Sequence, residues 1–230
     1  VRRWIDELSR WPETPGKWMK YFESGDADAR QLCRVENFVP YHDGLRELIC
    51  GSETLSLLAG LMDEPAALFK EKVNLKLPGG AGFRAHQDAP AFTTFGQRYH
   101  ITMLISVDDA TTSNGCLEMS DPVETYQFLD QEADGTIALQ LESEMNWRAL
   151  ELRAGDVVFF DSYIPHRSSA NESDDSRRAL YLTYNRLADG DVREAYFSAK
   201  RASFPPECER VAGVDYESQP SPFNLGNPIR

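Results

Sequence analysis

Two histidines and an aspartate are the residues of this 230-residue chain whose types and spacing best suit metal chemistry. His86 and Asp88 are one residue apart, so on an extended segment both side chains point to the same side. His166 follows 80 positions after His86 (166 − 86), behind a predicted strand. Two imidazoles and one carboxylate can occupy one face of an octahedral ferrous ion and leave the opposite face open for substrates. Zinc accepts the same three ligands in cupin-like sites, so the triad alone leaves the metal open.

A pair of arginines downstream narrows the choice of metal. Arg177 stands 11 positions after His166 (177 − 166), and Arg178 follows it. Iron held by three protein groups keeps positions for the 2-oxo acid end of 2-oxoglutarate and for dioxygen, and the far carboxylate then needs a fixed cation. On a strand the two arginines face opposite sides, so only one can enter the site, and alternation does not decide which. The combination indicates Fe(II), 2-oxoglutarate and O₂.

The elements that must position these residues are helices followed by many short strands. Apolar residues at helical spacing predict helices at 2–10, 41–50 and 52–62, and a further helix is predicted at 191–202. From about residue 70 the pattern alternates with a period of two, with apolar Val73, Leu75 and Leu77 set against polar neighbours. The predicted strands cover 73–77, 99–107, 116–119, 147–152, 157–160 and 178–184.

This order of elements predicts a mainly β fold with flanking helices, a double-stranded β-helix (jelly-roll, cupin-like) barrel. No internal repeat, low-complexity tract or Gly/Ser-rich linker divides the sequence, so we expect a single domain over 1–230. Within it we expect a helical buttress at 1–70, the jelly-roll core at 71–190, and a C-terminal helix and tail at 191–230.

Composition excludes several classes of partner. The formal charge of −13 offers no surplus of Lys and Arg to neutralise phosphates, which argues against nucleic-acid binding. No apolar run approaches the roughly 20 residues that span a bilayer, so no membrane partner is expected. The four cysteines have no CxxC spacing, which favours reduced thiols in a cytoplasmic enzyme. A small molecule is the expected partner, and the oligomeric state stays open.

Polar and partly cationic side chains surround the predicted metal site, in a protein that is otherwise acidic. We expect Lys76, Gln87, Arg98 and His100 to contact substrate, and the same mouth could include Arg84, Tyr99 and Arg186. A wide hydrophobic tunnel for an acyl chain is not indicated by these residues. The remaining histidine, His42, is expected to lie in a surface helix with a structural role.

About half of the chain, 72–186, resembles the phytanoyl-CoA dioxygenase (PhyH-like) family of Fe(II)- and 2-oxoglutarate-dependent oxygenases. The matching stretches are NLKLPGGAGFRAHQD (74–88), SNGCLEMS (113–120), LRAGDVVFFDSYIPHRSSAN (152–171) and SRRALYLTYN (176–185). The resemblance implies that His86, Asp88 and His166 bind iron and that Arg177 binds the 5-carboxylate of 2-oxoglutarate. It also suggests further 2-oxoglutarate contacts from Asn74, Thr102 and Ser168.

The resulting functional hypothesis is a dioxygenase that hydroxylates a small polar metabolite and forms succinate and CO₂. An anionic or zwitterionic substrate is favoured, such as an aminophosphonate or an ectoine-like compound, because cations gather near the HQD segment. Two alternatives stay open: a non-catalytic jelly-roll that binds metal or ligand, and a protein side-chain hydroxylase. The segment 120–147 departs from the family pattern, so its role is not predicted.

Overall fold

A computed structural model describes residues 1–24, 30–124, 126–216, 223 and 229 of the chain. The helices are α1 (Arg2–Arg10), α2 (Asp43–Cys50), α3 (Ser52–Met62), α4 (Ala89–Phe92), α5 (Leu139–Glu144) and α6 (Arg193–Ser203). The first five strands are β1 (Met19–Ser24), β2 (Arg30–Glu36), β3 (Ala66–Lys76), β4 (Phe83–His86) and β5 (His100–Ser106). The other five are β6 (Leu117–Ser120), β7 (Trp147–Leu150), β8 (Val157–Asp161), β9 (His166–Ser168) and β10 (Arg177–Arg186).

The strands form two antiparallel sheets, as the jelly-roll prediction requires. The larger sheet has the order β1-β2-β3-β10-β5-β8, and the smaller has the order β4-β9-β6-β7. Within the described residues no strand pairing joins the two sheets into a closed barrel, so the fold is a sandwich of two sheets. Long-range pairs such as β3 with β10 bring residues a hundred positions apart into register, for example Lys76 opposite Arg177.

The main hydrophobic core lies between the larger sheet and helices α1, α2 and α3. Ile5 and Leu8 of α1 and the β3 residues Val73 and Leu75 are buried in it. Because successive side chains of a strand alternate between faces, this arrangement turns the polar residues of β3 to the opposite face, between the two sheets. The apolar face of β3 therefore lies against the helices, and its lysines line the interior.

The N-terminal part of the chain corrects the prediction of a helical buttress over 1–70. The helices at 2–10 and 52–62 have the predicted bounds, and the predicted helix at 41–50 begins at Asp43. However, β1 and β2 are strands of the larger sheet that the sequence did not reveal. Their alternation is obscured because charged residues such as Arg34 and Glu36 are buried, which is uncommon for these residue types.

His42 also differs from its predicted surface position. It is buried, and its Nδ1 atom accepts a hydrogen bond of 3.0 Å from the backbone N–H of Leu45. The imidazole thus acts as the N-cap of α2, which satisfies a donor that the first helical turn would leave unpaired. Among the described residues, no helix is both long enough and apolar enough to cross a membrane.

Candidate active site

The predicted metal triad comes together at the edge of the smaller sheet. His86 ends β4 and His166 begins β9, and the two residues are direct partners in the antiparallel pairing of these strands. Asp88 lies two residues after His86, immediately before α4. One donor atom from each of the three side chains lies within 4.8 Å of the others, and all three residues are buried. The 80 positions between the histidines are thus bridged by one strand pair.

Backbone carbonyls orient both imidazoles. The Nδ1 atom of His86 lies 2.7 Å from the carbonyl oxygen of Arg84, and that of His166 lies 3.0 Å from the carbonyl oxygen of Ile164. Because a carbonyl oxygen can only accept, each Nδ1 carries the proton and each Nε2 keeps a free lone pair. Burial lowers the pKa of His86 to about 3 and also lowers that of His166, so both rings are neutral near pH 7.

The carboxylate of Asp88 completes a donor set that fits a divalent metal ion. Burial alone would raise the pKa of Asp88, but the ammonium groups of Lys70 and Lys72 and the two imidazoles outweigh it and hold that pKa below its ordinary value. The side chain is therefore ionised at neutral pH. Two neutral imidazoles and a carboxylate, grouped on one side, match the facial arrangement of Fe(II) oxygenases and leave room for exchangeable ligands.

The two adjacent arginines have different environments, which favours one of them for the predicted contact with 2-oxoglutarate. Arg177 is 2% exposed, and its guanidinium makes no hydrogen bond or ion pair with any residue in the described ranges. Arg178 faces outward: its Nε donates to Asp108 at 2.6 Å, and its Nη1 pairs with Asp6. Arg178 is thus occupied by structural ion pairs, and Arg177 is the arginine available to a buried anion.

Lys76 lies next to Arg177, and not at the mouth where it was predicted to contact substrate. The two residues are partners across β3 and β10. The Lys76 ammonium donates to the Ser168 hydroxyl at 2.7 Å, to the Gly115 carbonyl at 3.1 Å and to the Ser169 carbonyl. Burial and the neighbouring Arg177 charge lower the pKa of Lys76 to about 7. The group formed by Lys76, Ser168 and Arg177, here called the basic pair with Ser168, offers a cationic site for a carboxylate.

A glycine makes this close approach possible. Gly115 has φ +73°, a backbone conformation that L residues with side chains rarely adopt. A Cβ atom at this position would lie 2.3 Å from the carbonyl oxygen of Ser169 and 2.8 Å from Nζ of Lys76. Any larger residue at Gly115 would therefore displace the Lys76 ammonium from its carbonyl partners.

The other two residues predicted to contact 2-oxoglutarate lie on the interior face of the larger sheet. Asn74 is buried, and its Oδ1 accepts a hydrogen bond of 3.0 Å from Nε of Arg34. The Thr102 hydroxyl is buried and lies 3.0 Å from the hydroxyl of Thr183 on the adjacent strand. Both side chains have one polar partner and keep further hydrogen-bonding capacity, so their contact with 2-oxoglutarate stays a prediction.

Gln87 is a structural residue in this arrangement, contrary to its predicted substrate contact. Its amide nitrogen donates to the carbonyls of Tyr163 and Gln127, and its amide oxygen accepts from the N–H of Leu129. Two of these bonds hold the segment that follows β6 against the turn carrying Asp88, and the bond to Tyr163 ties that turn to the connection between β8 and β9. The N–H of Ile137 also donates to the Ala85 carbonyl at 2.8 Å, so part of 120–147 covers the strand that presents His86.

The remaining predicted substrate residues are divided between surface and interior. Arg98 is exposed and does not line the cavity beside the triad. Of the three further mouth residues, Arg84 pairs with Asp134 at 2.5 Å on the surface, and Arg186 lies over the ring of Tyr99. These positions do not support a direct contact with a substrate held at the triad.

His100 is fully buried between the rings of Phe69 and Phe92. Neither ring nitrogen has a hydrogen-bond partner among the described residues. Burial lowers the pKa of His100 to about 3, so the imidazole is neutral. It belongs to the aromatic interior near Asp88, and its predicted contact with substrate stays a prediction.

A small polar cavity is lined by His86 and Asp88 of the triad, and most of its charged walls were not predicted. The sequence does contain one indication of a basic wall, because the lysines at 70, 72 and 76 share one face of a strand. The lining residues are Arg34, Glu36, Lys70, Lys72, Phe83, His86, Asp88, Ala91, Phe92, Tyr196, Lys200 and Phe223.

Comparison with known proteins is consistent with this site. The chain is 54% identical over 231 residues to a 2-aminoethylphosphonate dioxygenase from the uncultured bacterium HF130_AEPn_1, covering 100% of this chain and 88% of the relative. It is 43% identical over 204 residues to a methylphosphonate hydroxylase from Gimesia maris, covering 89% and 77%.

The fold is also found in the solved structure of EctD from S. alaskensis with 2-oxoglutarate and 5-hydroxyectoine. The TM-score is 0.68 at 14% identity, covering 82% of this chain and 67% of EctD. The family model for phytanoyl-CoA dioxygenase (PhyH) matches residues 1–179. The chain therefore belongs to the phytanoyl-CoA dioxygenase family.

Proposed function

We propose that the chain is an Fe(II)- and 2-oxoglutarate-dependent dioxygenase that hydroxylates a small phosphonate, most simply an aminophosphonate. The observation that carries the proposal is the buried triad of His86, Asp88 and His166, two members of which line a small cavity with four basic side chains. Bound there, Fe(II) would supply open positions for 2-oxoglutarate and O₂ and the oxidising power for hydroxylation, with succinate and CO₂ as co-products.

The protein groups would divide the work between metal binding and co-substrate binding. His86 and His166 present neutral Nε2 lone pairs, because the carbonyls of Arg84 and Ile164 fix the Nδ1 protons. Asp88 contributes the negative charge that offsets part of the metal charge. Since both rings are held from behind by the backbone, the triad needs little rearrangement to bind a metal ion.

The basic pair with Ser168 is the proposed site for the 5-carboxylate of 2-oxoglutarate. Arg177 can form two parallel charge-assisted hydrogen bonds to a carboxylate, and Lys76 and Ser168 lie at its side. A dicarboxylate would then be held at both ends, by the metal and by this group. Such two-point binding fixes its orientation and excludes water from that side of the cavity.

The substrate class follows from the cavity and from the named relatives. The cavity is small and carries four basic side chains, Arg34, Lys70, Lys72 and Lys200, so it suits a compact anion and not a long acyl thioester. Relatives that are 54% and 43% identical carry names that specify phosphonate substrates. A charged head group held by the basic walls would orient one nearby C–H bond towards the metal.

The two alternatives have less support from the site. A non-catalytic barrel would not require both the intact triad and a buried arginine without a protein partner in the described ranges. A protein side-chain hydroxylase needs a cleft that accepts an extended peptide, and the cavity beside the triad is too small for one.

Substrate-dependent oxygen uptake with Fe(II) and 2-oxoglutarate tests the proposal. A panel of aminophosphonates, alkylphosphonates, ectoine-like zwitterions, amino acids and acyl thioesters should give coupled succinate formation with the phosphonates. Strong coupling with acyl thioesters and none with phosphonates would refute the substrate class. No coupling with any compound, together with weak Fe(II) binding, would refute the enzyme assignment.

His166→Ala tests the metal site, and His42→Ala is its matched control. Both changes remove a buried imidazole, but His42 caps α2 on the far side of the larger sheet. His166→Ala should abolish Fe(II) binding and turnover. His42→Ala should keep both and lose about 0.5–2 kcal/mol of stability, which is typical of a lost N-cap. Wild-type iron affinity in His166→Ala would show that the triad is wrongly assigned.

A further inference from the structure

Two lysines on the cavity wall have no hydrogen-bond or ion-pair partner among the residues that the structure describes. Lys70 and Lys72 lie on the interior face of β3, in the cavity that His86 and Asp88 also line. The Lys70 ammonium lies 3.9 Å from the ring centre of Phe92, and that of Lys72 lies 5.2 Å from the ring centre of Tyr181. Neither ammonium makes a hydrogen bond or an ion pair within 4 Å in the part of the chain that the structure describes.

The other two cations of the cavity are compensated. Lys200 donates to both oxygens of Glu36, at 2.7 and 2.6 Å. Arg34 lies 3.4 Å from the same carboxylate and donates to the Asn74 amide oxygen. Glu36 therefore serves Lys200 and Arg34, and the second carboxylate of the cavity, Asp88, belongs to the proposed metal site. Lys70 and Lys72 interact with Asp88 and Glu36 only at longer range, and neither has an ion-pair partner within 4 Å in the described ranges.

Buried or half-buried cations without partners are costly, so their presence calls for a ligand. The protein as a whole carries a net charge of −13, which gives no general reason for lysines to gather at one site. Two ammonium groups on one face of a strand match the two negative charges of a single phosphonate group. A monoanion such as a carboxylate or sulfonate would leave one of these charges uncompensated.

The co-substrate does not account for these lysines. Its proposed carboxylate site, the basic pair with Ser168, begins at Lys76, four residues beyond Lys72 on the same face of β3. At about 3.3 Å per residue that distance is roughly 13 Å along the strand, and roughly 20 Å separates Lys70 from Lys76. The interior face of β3 thus carries two separate anion sites, one on each side of Asn74.

We infer that Lys70 and Lys72 form the subsite for the dianionic phosphonate group of the substrate and determine the preference for phosphonates over monoanions. The inference rests on the proposed function, because it places the substrate beside the triad. A group bound at these lysines shares one cavity with His86 and Asp88. The carbon chain attached to phosphorus is then held next to the metal site, where hydroxylation would occur.

Direct binding measurements on the protein loaded with Fe(II) and 2-oxoglutarate, without O₂, test the inference. The probes are 2-aminoethylphosphonate and its sulfonate isostere, which has the same shape. At about pH 8 the sulfonate carries one negative charge less, because phosphate-type groups lose their second proton near pH 6. Wild-type protein should bind the phosphonate at least about tenfold more tightly, which corresponds to about 1.4 kcal/mol. Lys70→Gln and Lys72→Gln should each remove most of that preference.

Lys17→Gln is the matched control, because Lys17 is exposed and lies outside the cavity. It should bind both probes as the wild-type protein does. Thermal unfolding of all variants should show that the cavity variants fold, since glutamine removes a buried charge and keeps most of the chain length. Lys72→Met, which has nearly the same shape as lysine, should lose the same preference as Lys72→Gln.

Several outcomes would overturn the inference. An unchanged preference in both glutamine variants would do so, and so would equal affinity of the wild-type protein for the two probes. A parallel loss of 2-oxoglutarate affinity would instead assign the lysines to the co-substrate. Measurements of oxygen uptake separate this inference from the proposed function. Phosphonate binding that depends on the lysines but gives no turnover would refute the enzyme assignment alone. Turnover with an unchanged preference for phosphonate over sulfonate in the lysine variants would refute the subsite alone.

Discussion

Arg177 and Arg178 are adjacent in sequence and have opposite roles in the structure, so replacing each in turn separates co-substrate binding from stability. Methionine is the substitution of choice, because it keeps most of the apolar stem that an arginine packs against its surroundings. Arg177→Met should weaken 2-oxoglutarate binding and leave the thermal midpoint close to that of the wild type. Arg178→Met should lower the midpoint and leave 2-oxoglutarate binding unchanged.

The magnitudes follow from the surroundings of the two guanidinium groups. Removing one partner of a buried charge pair costs about 2–5 kcal/mol, so Arg177→Met should weaken 2-oxoglutarate binding roughly 30-fold to several thousand-fold. Arg177 has no ion pair with any described residue, so its loss strands no carboxylate there. Arg178→Met leaves Asp108, whose side chain is 12% exposed, with the backbone N–H of residue 178 at 3.1 Å and the more distant Arg2 at 3.4 Å. The loss of the guanidinium should cost about 1–3 kcal/mol of stability.

Two measurements on the same three proteins decide the matter. Titration of 2-oxoglutarate into the Fe(II)-loaded, oxygen-free proteins gives the dissociation constants, and thermal or denaturant unfolding gives the stabilities. The reverse ranking of the two variants would refute the assignment of faces on β10. If both variants lost both properties equally, the two arginines would form one coupled unit, and the separation argued from the ion pairs would be wrong.

Three further predictions concern the groups that support the site. Burial raises the pKa of Glu36, but Lys200 and Arg34 outweigh it and lower that pKa to about 2. Because the pKa of Glu36 in the unfolded chain is about 4.5, its contribution to folding stability is complete above that pH and is lost as the pH falls towards 2. Glu36→Gln should therefore make the free energy of unfolding depend less on pH in the acid range. Gln87→Ala removes one buried and two partly buried hydrogen bonds, so the free energy of unfolding should fall by about 2–4 kcal/mol and limited proteolysis should cut within 120–147. Gly115→Ala should weaken 2-oxoglutarate binding at least about tenfold in calorimetry, because the added Cβ displaces Lys76.

The chemistry of this site was accessible from sequence because it depends on few residues with strict types and spacing. The one-residue separation of His86 and Asp88 predicts a shared side on any extended backbone, and the structure pairs His86 directly with His166. The helix at 52–62 was equally clear, since apolar residues recur at helical spacing within a segment of uniform pattern. The helix and the spacing of His86 and Asp88 depend on local sequence alone.

The charged walls were not accessible for a physical reason. Alternation along β3 distinguishes two faces, and the ordinary expectation places lysines in water and valine and leucine in the core. Here the helices cover the apolar face that includes Val73, and the polar face with Lys70 and Lys72 points between the sheets. Only tertiary packing reveals which face is interior, and the choice between Arg177 and Arg178 depends on the same information.

The strands of the N-terminal part were missed for a related reason. Arg34 and Glu36 alternate with Val35 on β2, but both charged residues are buried and contribute to the cavity. A pattern of charges on a short segment is ordinarily typical of a solvated loop or helix. Pairing with β3 a further 40 positions along the chain makes β2 a strand, and no local signal reports that pairing.

The cavity is assembled from two parts of the chain, and one of them lies outside the region that matches the family model. The triad lies on β4, β9 and the turn after β4, inside the region 1–179 that matches the family. Tyr196, Lys200 and Phe223 come from beyond that region and line the same cavity. Substitutions in this C-terminal part would change the wall of the cavity and leave the three predicted metal-binding side chains in place. Chimaeras that graft the corresponding part of a relative onto this chain would be a direct route to new hydroxylation specificities.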